Sequence, residues 1–267
     1  MRLSANDIAL NMLLAALPDA IGDPIRGHLI PVYLPLGKVL YEPGVPLDEV
    51  YFPTTAIISL QYEFADATRA EMAVVGNEGI LGIALFMGGD TTPWHAIVDT
   101  PGNAYRLPAR ILKDEFSRSG ALRNTLLRYT QSLITQMAQA AVCNRHHSAD
   151  QRMCRWLLGR LDRLQCSELL VTHELISDRL GVRRETVTDT ATKLQRAGLI
   201  CPTRGHISVL DRAGLERRCC ECYRILKQET DRLLPIPARA DDIAARQSFV
   251  NRRVIPLVDS LICAGID

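Results

Sequence analysis

One stretch of the chain, residues 172–200, restricts the fold more than any other. It reads THELISDRLGVRRETVTDTATKLQRAGLI. Its apolar spacing predicts a short helix over 173–180 and a second helix over about 184–197, whose inward residues are Val187, Ala191 and Leu194. Between them stands Gly181, where a left-handed backbone can end a helix without a Cβ penalty. Two helices joined by so short a turn form a helix-turn-helix.

The stretch AGLICPTRGHISVLD follows at once and predicts a β-hairpin. Residues 199–200 and 207–209 are strand-like, and the segment 202–205 between them contains Pro and Gly. We expect this hairpin to form a wing beside the second helix, with Arg204 at its tip.

The charge of this region suits a polyanionic partner. Residues 145–218 hold 14 Lys and Arg against 9 Asp and Glu, although the net charge of the whole chain is only +1. The first turn of a helix in the major groove faces base edges, where Arg matches guanine and Glu accepts from cytosine. We therefore predict that Arg184 and Glu185 read bases. The residues predicted to contact phosphate or backbone are Arg183, Thr186, Thr188, Lys193 and Arg204.

The first 107 residues have a different texture. An amphipathic helix is predicted near the N-terminus, and from about residue 30 short strands alternate with Gly and Pro turns such as Pro43-Gly44 and Gly88-Gly89. This spacing predicts an antiparallel β-roll and not a parallel α/β sheet.

Residues 109–144 contain no Pro and a single Gly, which predicts one long amphipathic helix. Its apolar face could pack on its own domain or form a two-stranded seam between subunits, and we favour the seam. The apolar positions are Leu122, Leu126, Tyr129, Leu133, Met137, Ala140 and Ala141. The following segment, CNRHHSAD, is the predicted domain boundary and hinge, and Ser148 and Gln151 have the spacing of a capping box.

Taken together, these segments resemble the Crp/Fnr family of bacterial transcription regulators, most specifically at Arg184-Glu185-Thr186-Val187. The resemblance covers nearly the whole chain to about Leu215. It implies an α+β fold with an N-terminal antiparallel β-roll of the double-stranded β-helix type, a long dimerisation helix and a winged helix-turn-helix. It also implies a homodimer, joined through the 109–144 helix, on two-fold symmetric double-stranded DNA with half-sites roughly 34 Å apart.

The resemblance also assigns roles to single residues and partners. Arg184 and Glu185 stand at the base-reading positions, but Asp189 stands where cyclic-AMP-type members often carry another Arg. We therefore expect a half-site that differs in part from their consensus. RNA polymerase is a candidate further partner.

The resemblance places a candidate effector pocket in the roll. Cyclic-nucleotide binders of the family hold the ribose phosphate with a Gly-Glu loop and neutralise it with an Arg-Ser pair. Here Trp94-His95 replaces that pair, so the charge-assisted bidentate contact to phosphate is missing. We predict an effector other than cyclic AMP and assign no cofactor. The candidate pocket residues are Gly76, Glu78, Gly79, Gly82, Trp94 and His95.

The cysteines leave alternatives open. All eight follow residue 142, so the family's N-terminal iron–sulfur cysteines have no counterpart. Cys219, Cys220 and Cys222 could bind zinc with a distant His, or respond to oxidation. Apolar packing on a helix is favoured, and no metal site is expected. His146-His147 could sense a metal or pH, although a solvated basic link is favoured.

The expected domains are 1–107 (N-terminal helix and roll), 108–147 (long dimerisation helix and hinge), 148–215 (winged helix-turn-helix) and 216–267 (a C-terminal helical extension without an assigned role). Enzymatic phosphate loops and nucleophile motifs are missing from the sequence, so we expect a regulator and not an enzyme. No secretory signal and no apolar run of about 18 residues is found, and we expect a cytoplasmic protein with no membrane partner. The alternative function is a ligand- or redox-responsive signalling module that no longer binds DNA.

Overall fold

The computed structural model describes residues 8–65, 68–164 and 166–234. The helices are α1 (Met12–Ala16), α2 (Asp19–Arg26), α3 (Ala84–Met87), α4 (Ala109–Arg118), α5 (Gly120–His146), α6 (Ala149–Leu164), α7 (His173–Leu180), α8 (Arg184–Arg196), α9 (Arg212–Arg218) and α10 (Glu221–Leu233). The strands are β1 (Ile30–Leu34), β2 (Val39–Tyr41), β3 (Glu49–Pro53), β4 (Ile57–Glu63), β5 (Arg69–Val75), β6 (His95–Thr100), β7 (Gly102–Pro108), β8 (Glu168–Leu170), β9 (Ile200–Thr203) and β10 (His206–Val209).

Strands β1 to β7 form the predicted antiparallel roll. They make one sheet in the order β1-β7-β3 and another in the order β2-β6-β4-β5. The residues enclosed between the sheets are apolar and almost inaccessible, among them Leu34, Ile58, Val75 and Leu107. Burial of such side chains is the main favourable contribution to folding, at about 1.5–3 kcal/mol for each. The α+β fold class is confirmed, and among the described residues the short helices α1 and α2 precede the roll.

The single helix predicted over 109–144 is wrong, because the structure has two helices with a break at Ser119. The backbone of Ser119 is extended (φ −104°, ψ 109°), and its hydroxyl accepts a hydrogen bond from the Leu122 N–H. Serine favours such N-cap positions, and Gly120, next in the chain, is a poor helix former. The long helix is therefore α5 alone, 27 residues or about 40 Å in length.

Helix α5 presents three faces with different surroundings. The apolar residues Leu122, Leu126, Tyr129 and Leu133 are buried in the core of the roll. This face of α5 therefore packs on its own domain, which was the alternative prediction. The favoured prediction, a seam between two subunits, is wrong for these four residues.

A second face of α5 packs against α10, and a third is exposed. Ser132 is hydrogen-bonded to Thr230 of α10 at 3.2 Å between their hydroxyl oxygens. Leu127, Ile134 and Val142 are 47%, 54% and 50% exposed and recur at intervals of seven and eight residues, which places them on one side of the helix. An apolar stripe in contact with water is thus left along α5.

The second domain begins at α6 and has a core of its own, in which Leu157, Ile176, Leu194 and Leu215 are fully buried. The predicted capping box at the start of α6 is confirmed. The Ser148 N–H donates to Gln151 Oε1 at 3.2 Å, and the Gln151 N–H donates to Ser148 Oγ at 3.3 Å. Helix α5 ends at His146 and α6 begins at Ala149.

Two further findings concern the ends of the chain and its helices. The part of the predicted C-terminal extension that follows residue 234 lies outside the described residues. In the part of the chain that the structure describes, none of the helices has the length and apolar character needed to cross a membrane.

Candidate nucleic-acid interface

The helix-turn-helix lies where the sequence predicts it, with α7 over His173–Leu180 and α8 over Arg184–Arg196. Thr172 is the N-cap of α7, because its hydroxyl accepts from the Leu175 N–H at 3.1 Å. At the end of α7, Gly181 adopts the left-handed conformation (φ 60°, ψ 44°) and its N–H donates to the Ser177 carbonyl. This conformation favours glycine and turns the chain into α8.

Helix α8 is sharply divided into a buried and an exposed face. Val187, Ala191 and Leu194 pack into the domain core, as predicted. Arg184 and Glu185, in the first turn, are exposed. The inward residues fix the rotation of the helix, so the first-turn side chains project into solvent, away from the core.

The residues predicted to contact phosphates are spread along α8 and the turn before it. Arg183 is the N-cap residue, is exposed and makes no capping hydrogen bond. Lys193 is exposed near the C-terminal end of the helix, and Thr186 is half-buried. Thr188 is exposed, and its hydroxyl donates to the Arg184 carbonyl at 3.1 Å.

His173 of α7 connects the two helices. Its Nδ1 lies 3.2 Å from the Thr188 hydroxyl of α8. Burial and the positive charge of Arg184 lower the pKa of His173 below its ordinary value of 6.5, so the imidazole is neutral at pH 7. The contact therefore adds no positive charge to the exposed face of α8.

The wing is present as predicted. β9 pairs antiparallel with β10, with Ile207 opposite Pro202, and Gly205 supplies a left-handed residue (φ 79°) at the tip. Arg204 is exposed beside it. A third strand, β8, pairs with the other edge of β10 and was not predicted, because its three residues are too few to show alternation.

A buried ionic cluster joins the helix-turn-helix to the roll. Asp99 of β6 is 1% exposed and is paired with Arg160 of α6 and with Arg179 of α7, the latter at 2.7 Å. Arg160 also binds Glu71 of β5 at 2.9 Å. Burial alone would raise the pKa of Asp99, but the two guanidinium groups outweigh it and hold that pKa below its usual range. We call Glu71, Asp99, Arg160 and Arg179 the ionic cluster. These four residues lie far apart in the sequence, and no sequence motif indicates that they interact.

The six residues of the candidate effector pocket lie in different surroundings. Glu78 accepts from Arg163 Nε of α6 at 2.8 Å, and the side chain of Arg163 also covers Gly76. The ring of Tyr129, from α5, covers Gly79. The loop of Gly76, Glu78 and Gly79 thus packs against the helices that follow the roll.

The remaining three residues lie elsewhere on the roll. Gly82 stands between Val50 and the Tyr41 hydroxyl. Trp94 is half-buried, and Nε2 of His95 lies 3.6 Å from the Glu63 carboxylate.

A cavity of about 320 Å³ lies between the roll, α5, α6 and α10. Residues from all four regions line it, among them Met72, Gln136, Trp156 and Leu226. Of the six residues of the candidate effector pocket, only Glu78 contributes to its wall. No sequence pattern reveals this cavity, because its lining comes from segments that are distant along the chain.

Cysteine residues meet at the end of α5. The side-chain donor atoms of Cys143, His147, Cys220 and Cys222 all lie within 4.8 Å of one another. Cys219 packs against this group but is not one of the four, and its sulfur lies 3.8 Å from the Gln151 carbonyl oxygen. Cys143 and Cys220 are 77 residues apart, so spacing alone does not reveal the group.

Comparisons with known proteins agree with this architecture. Residues 151–218 match the model of the Crp-like helix-turn-helix domain. The chain is 33% identical to the nitrogen fixation regulation protein FixK of Bradyrhizobium diazoefficiens, over 53% of this chain and 65% of that protein. It is 21% identical to the global nitrogen regulator of Synechococcus elongatus, over 68% of this chain and 86% of that protein. The solved structure of FixK2 from Bradyrhizobium japonicum has the same fold, with a TM-score of 0.63 at 16% identity, over 72% of this chain and 98% of that one.

Proposed function

Because this chain belongs to the Crp/Fnr family of transcription regulators, we propose that it is a non-enzymatic, sequence-specific DNA-binding regulator. It acts in the cytoplasm as a homodimer on a two-fold symmetric site. The observation that carries the proposal is the division of α8, whose apolar face is buried while Arg184 and Glu185 are exposed in its first turn.

The exposed face of α8 supports base reading. The Arg184 guanidinium has the fork that matches guanine O6 and N7, and the Glu185 carboxylate can accept from cytosine N4. Arg183 and Lys193 flank these two along the helix, and Arg204 is displaced from them on the wing. This spread suits phosphates on either side of a major groove. Thr186 and Thr188 complete the proposed backbone contacts.

The exposed stripe of α5 supports the homodimer. Leu127 and Val142 are separated by 15 residues, which corresponds to about 23 Å of helix. A second copy of α5 would cover this stripe, as apolar residues at intervals of seven allow in paired helices. The two α8 helices would then be related by a two-fold axis, with half-sites roughly 34 Å apart.

We also propose that any effector is a molecule other than cyclic AMP. Trp94 and His95 offer no guanidinium for a phosphate, and the negative charge of Glu63 lies beside His95. Glu78, which a ribose would need as acceptor, is already paired with Arg163. Together these contacts disfavour an anionic nucleotide in the roll.

Capture of genomic DNA by the purified protein tests the proposal. Sheared genomic fragments are bound, washed across a salt series and sequenced. We expect enrichment of one palindromic sequence and a steep loss of binding with salt, because phosphate contacts release counterions. Absence of retention even at low salt would instead support the signalling module that does not bind DNA.

A further inference from the structure

We propose that Cys143, His147, Cys220 and Cys222 bind a single Zn²⁺ ion that fastens α10 to the end of α5. These residues offer three sulfurs and one imidazole nitrogen, a ligand set typical of structural zinc sites. All four donors come from the same chain, so the site needs no second subunit.

The distances between donors fit one tetrahedral ion. Bonds of about 2.3 Å to sulfur and about 2.0 Å to nitrogen place two sulfurs about 3.8 Å apart, and a sulfur and a nitrogen about 3.5 Å apart. Cys143 Sγ lies 3.6 Å from Cys220 Sγ, and Cys222 Sγ lies 3.4 Å from His147 Nδ1. In an iron–sulfur cluster, the protein ligands surround several metal atoms and are spread more widely.

Two helix ends hold the donors in place. Cys143 lies in the last turn of α5, and His147, four residues later, is the C-cap of that helix. Cys220 is the N-cap residue of α10 and makes no capping hydrogen bond through its side chain, and Cys222 lies in the first turn. A metal binds the thiolate form of cysteine, so binding of Zn²⁺ at these positions would release the thiol protons.

Neighbouring side chains orient the ligands as they do in established metal sites. The other ring nitrogen of His147, Nε2, lies 3.3 Å from the Glu221 carboxylate. This contact would fix the tautomer that leaves Nδ1 free to bind the ion. Gln139 Nε2 donates to Cys222 Sγ at 3.0 Å, a hydrogen bond that suits a metal-bound thiolate.

The site is closed, which indicates a structural and not a catalytic role. Cys143 and Cys222 are fully buried and Cys220 is 4% exposed. Four protein ligands complete a tetrahedron and leave no position for water or substrate. Cys219, Cys220 and Cys222 have no second donor pair nearby in the sequence, so no metal site was expected, but the end of α5 provides Cys143 and His147.

Titration of the reduced, metal-free full-length protein with Co²⁺ tests the proposal, since Co²⁺ in a tetrahedral thiolate site absorbs visible light strongly. We expect saturation at one Co²⁺ per chain, thiolate-to-cobalt charge-transfer bands, and displacement by one equivalent of Zn²⁺. Absence of these bands in the unaltered protein would overturn the proposal. An iron chromophore with acid-labile sulfide in protein purified without oxygen would do the same.

Matched variants assign the ligands. Cys222→Ala and His147→Ala should lose the tetrahedral spectrum, whereas Cys219→Ala, which removes a neighbouring thiol outside the four ligands, should keep it. Glu221→Gln retains all four ligands and should weaken Zn²⁺ binding roughly 10–100-fold. Circular dichroism checks that each variant is folded. A spectrum that survives Cys222→Ala but disappears in Cys219→Ala would contradict the assignment.

Discussion

The exposure of Arg184 is determined by the buried residues that follow it in α8. Val187, one turn later, is buried in the domain core, and this anchor leaves the guanidinium on the solvent side of α8. Periodicity made that placement predictable from sequence. The same pattern could not predict the pairing of Glu78 with Arg163, because the two residues are 85 positions apart and belong to different domains.

Replacement of Arg184 separates base reading from charge. Arg184→Ala should weaken binding to the cognate site by about 1–3 kcal/mol and relax the base preference at one position of each half-site. Fluorescence anisotropy with a set of single-base variants of the captured sequence measures both effects. Arg184→Lys keeps the charge but not the fork, so it should lose base preference while retaining the salt dependence. Unchanged preference in both variants would refute base reading by this residue.

Substitution of Gly79 tests whether the loop of Gly76, Glu78 and Gly79 packs against α5. A Cβ at this position would lie 2.2 Å from the ring of the buried Tyr129. Gly79→Ala should therefore lower the free energy of unfolding by about 1–3 kcal/mol, as overpacking does. Gly89→Ala is the matched control, because its Cβ would meet only ordinary contacts, the nearest at 3.8 Å. Urea denaturation compares the two, and equal stability would argue against the close packing of Gly79.

At the scale of elements, α5 shows what periodicity can and cannot predict. The apolar residues buried in the roll produce the pattern seen in the sequence, and from it a helix was correctly expected. The pattern could not tell a face covered by the same chain from one left for a partner. The apolar pattern also did not predict the break between α4 and α5 at Ser119, because a polar N-cap residue leaves the spacing of the apolar residues unchanged.

A charge on the exposed stripe of α5 should prevent association. Ile134→Glu places carboxylates near the two-fold axis of the proposed dimer, where desolvation and mutual repulsion are unfavourable. Sedimentation velocity should show a dimer for the unaltered protein and a monomer for this variant. Leu36→Glu is the control, since Leu36 is 60% exposed and lies between β1 and β2 of the roll, outside α5. A dimer that persists in Ile134→Glu would exclude this stripe as the interface.

At the scale of the whole molecule, the ionic cluster fixes how the two domains sit together. Asp99 and Glu71 come from the roll, and Arg160 and Arg179 come from the helix-turn-helix domain. Each domain could be predicted by itself, because its core follows from local patterns. The relative placement of the two domains could not be predicted, because it depends on buried charged residues that cannot be distinguished in the sequence from charged residues exposed to solvent.

Acid should weaken this arrangement. The pKa of Asp99 is lower in the folded protein than its ordinary value of 3.8, so the carboxylate contributes stability that is present above about pH 4. That contribution is lost as the pH falls through the lowered pKa. Urea unfolding followed from pH 7 to pH 3 should show a loss of stability below about pH 4. The Asp99-dependent part of this loss should be absent in Asp99→Asn.

Asp99→Asn also predicts an effect at neutral pH. Removal of one partner from a buried ion pair leaves the guanidinium groups without a compensating charge. We therefore expect the free energy of unfolding at pH 7 to fall by about 3–5 kcal/mol. Glu63→Gln breaks the more exposed pair with Arg69 and should cost about 1 kcal/mol or less. Similar losses in the two variants would contradict the special role of Asp99.

Arg179 lies on α7, which packs against α8, so the contact with Asp99 is one helix away from the surface proposed to meet DNA. If this contact differs between the DNA-bound and the DNA-free protein, DNA binding at α8 and ligand binding at the roll are thermodynamically coupled. A ligand that alters the affinity for the operator by some factor must then bind more tightly or more weakly, by the same factor, when the operator is present. The operator would then itself act as an effector of the roll.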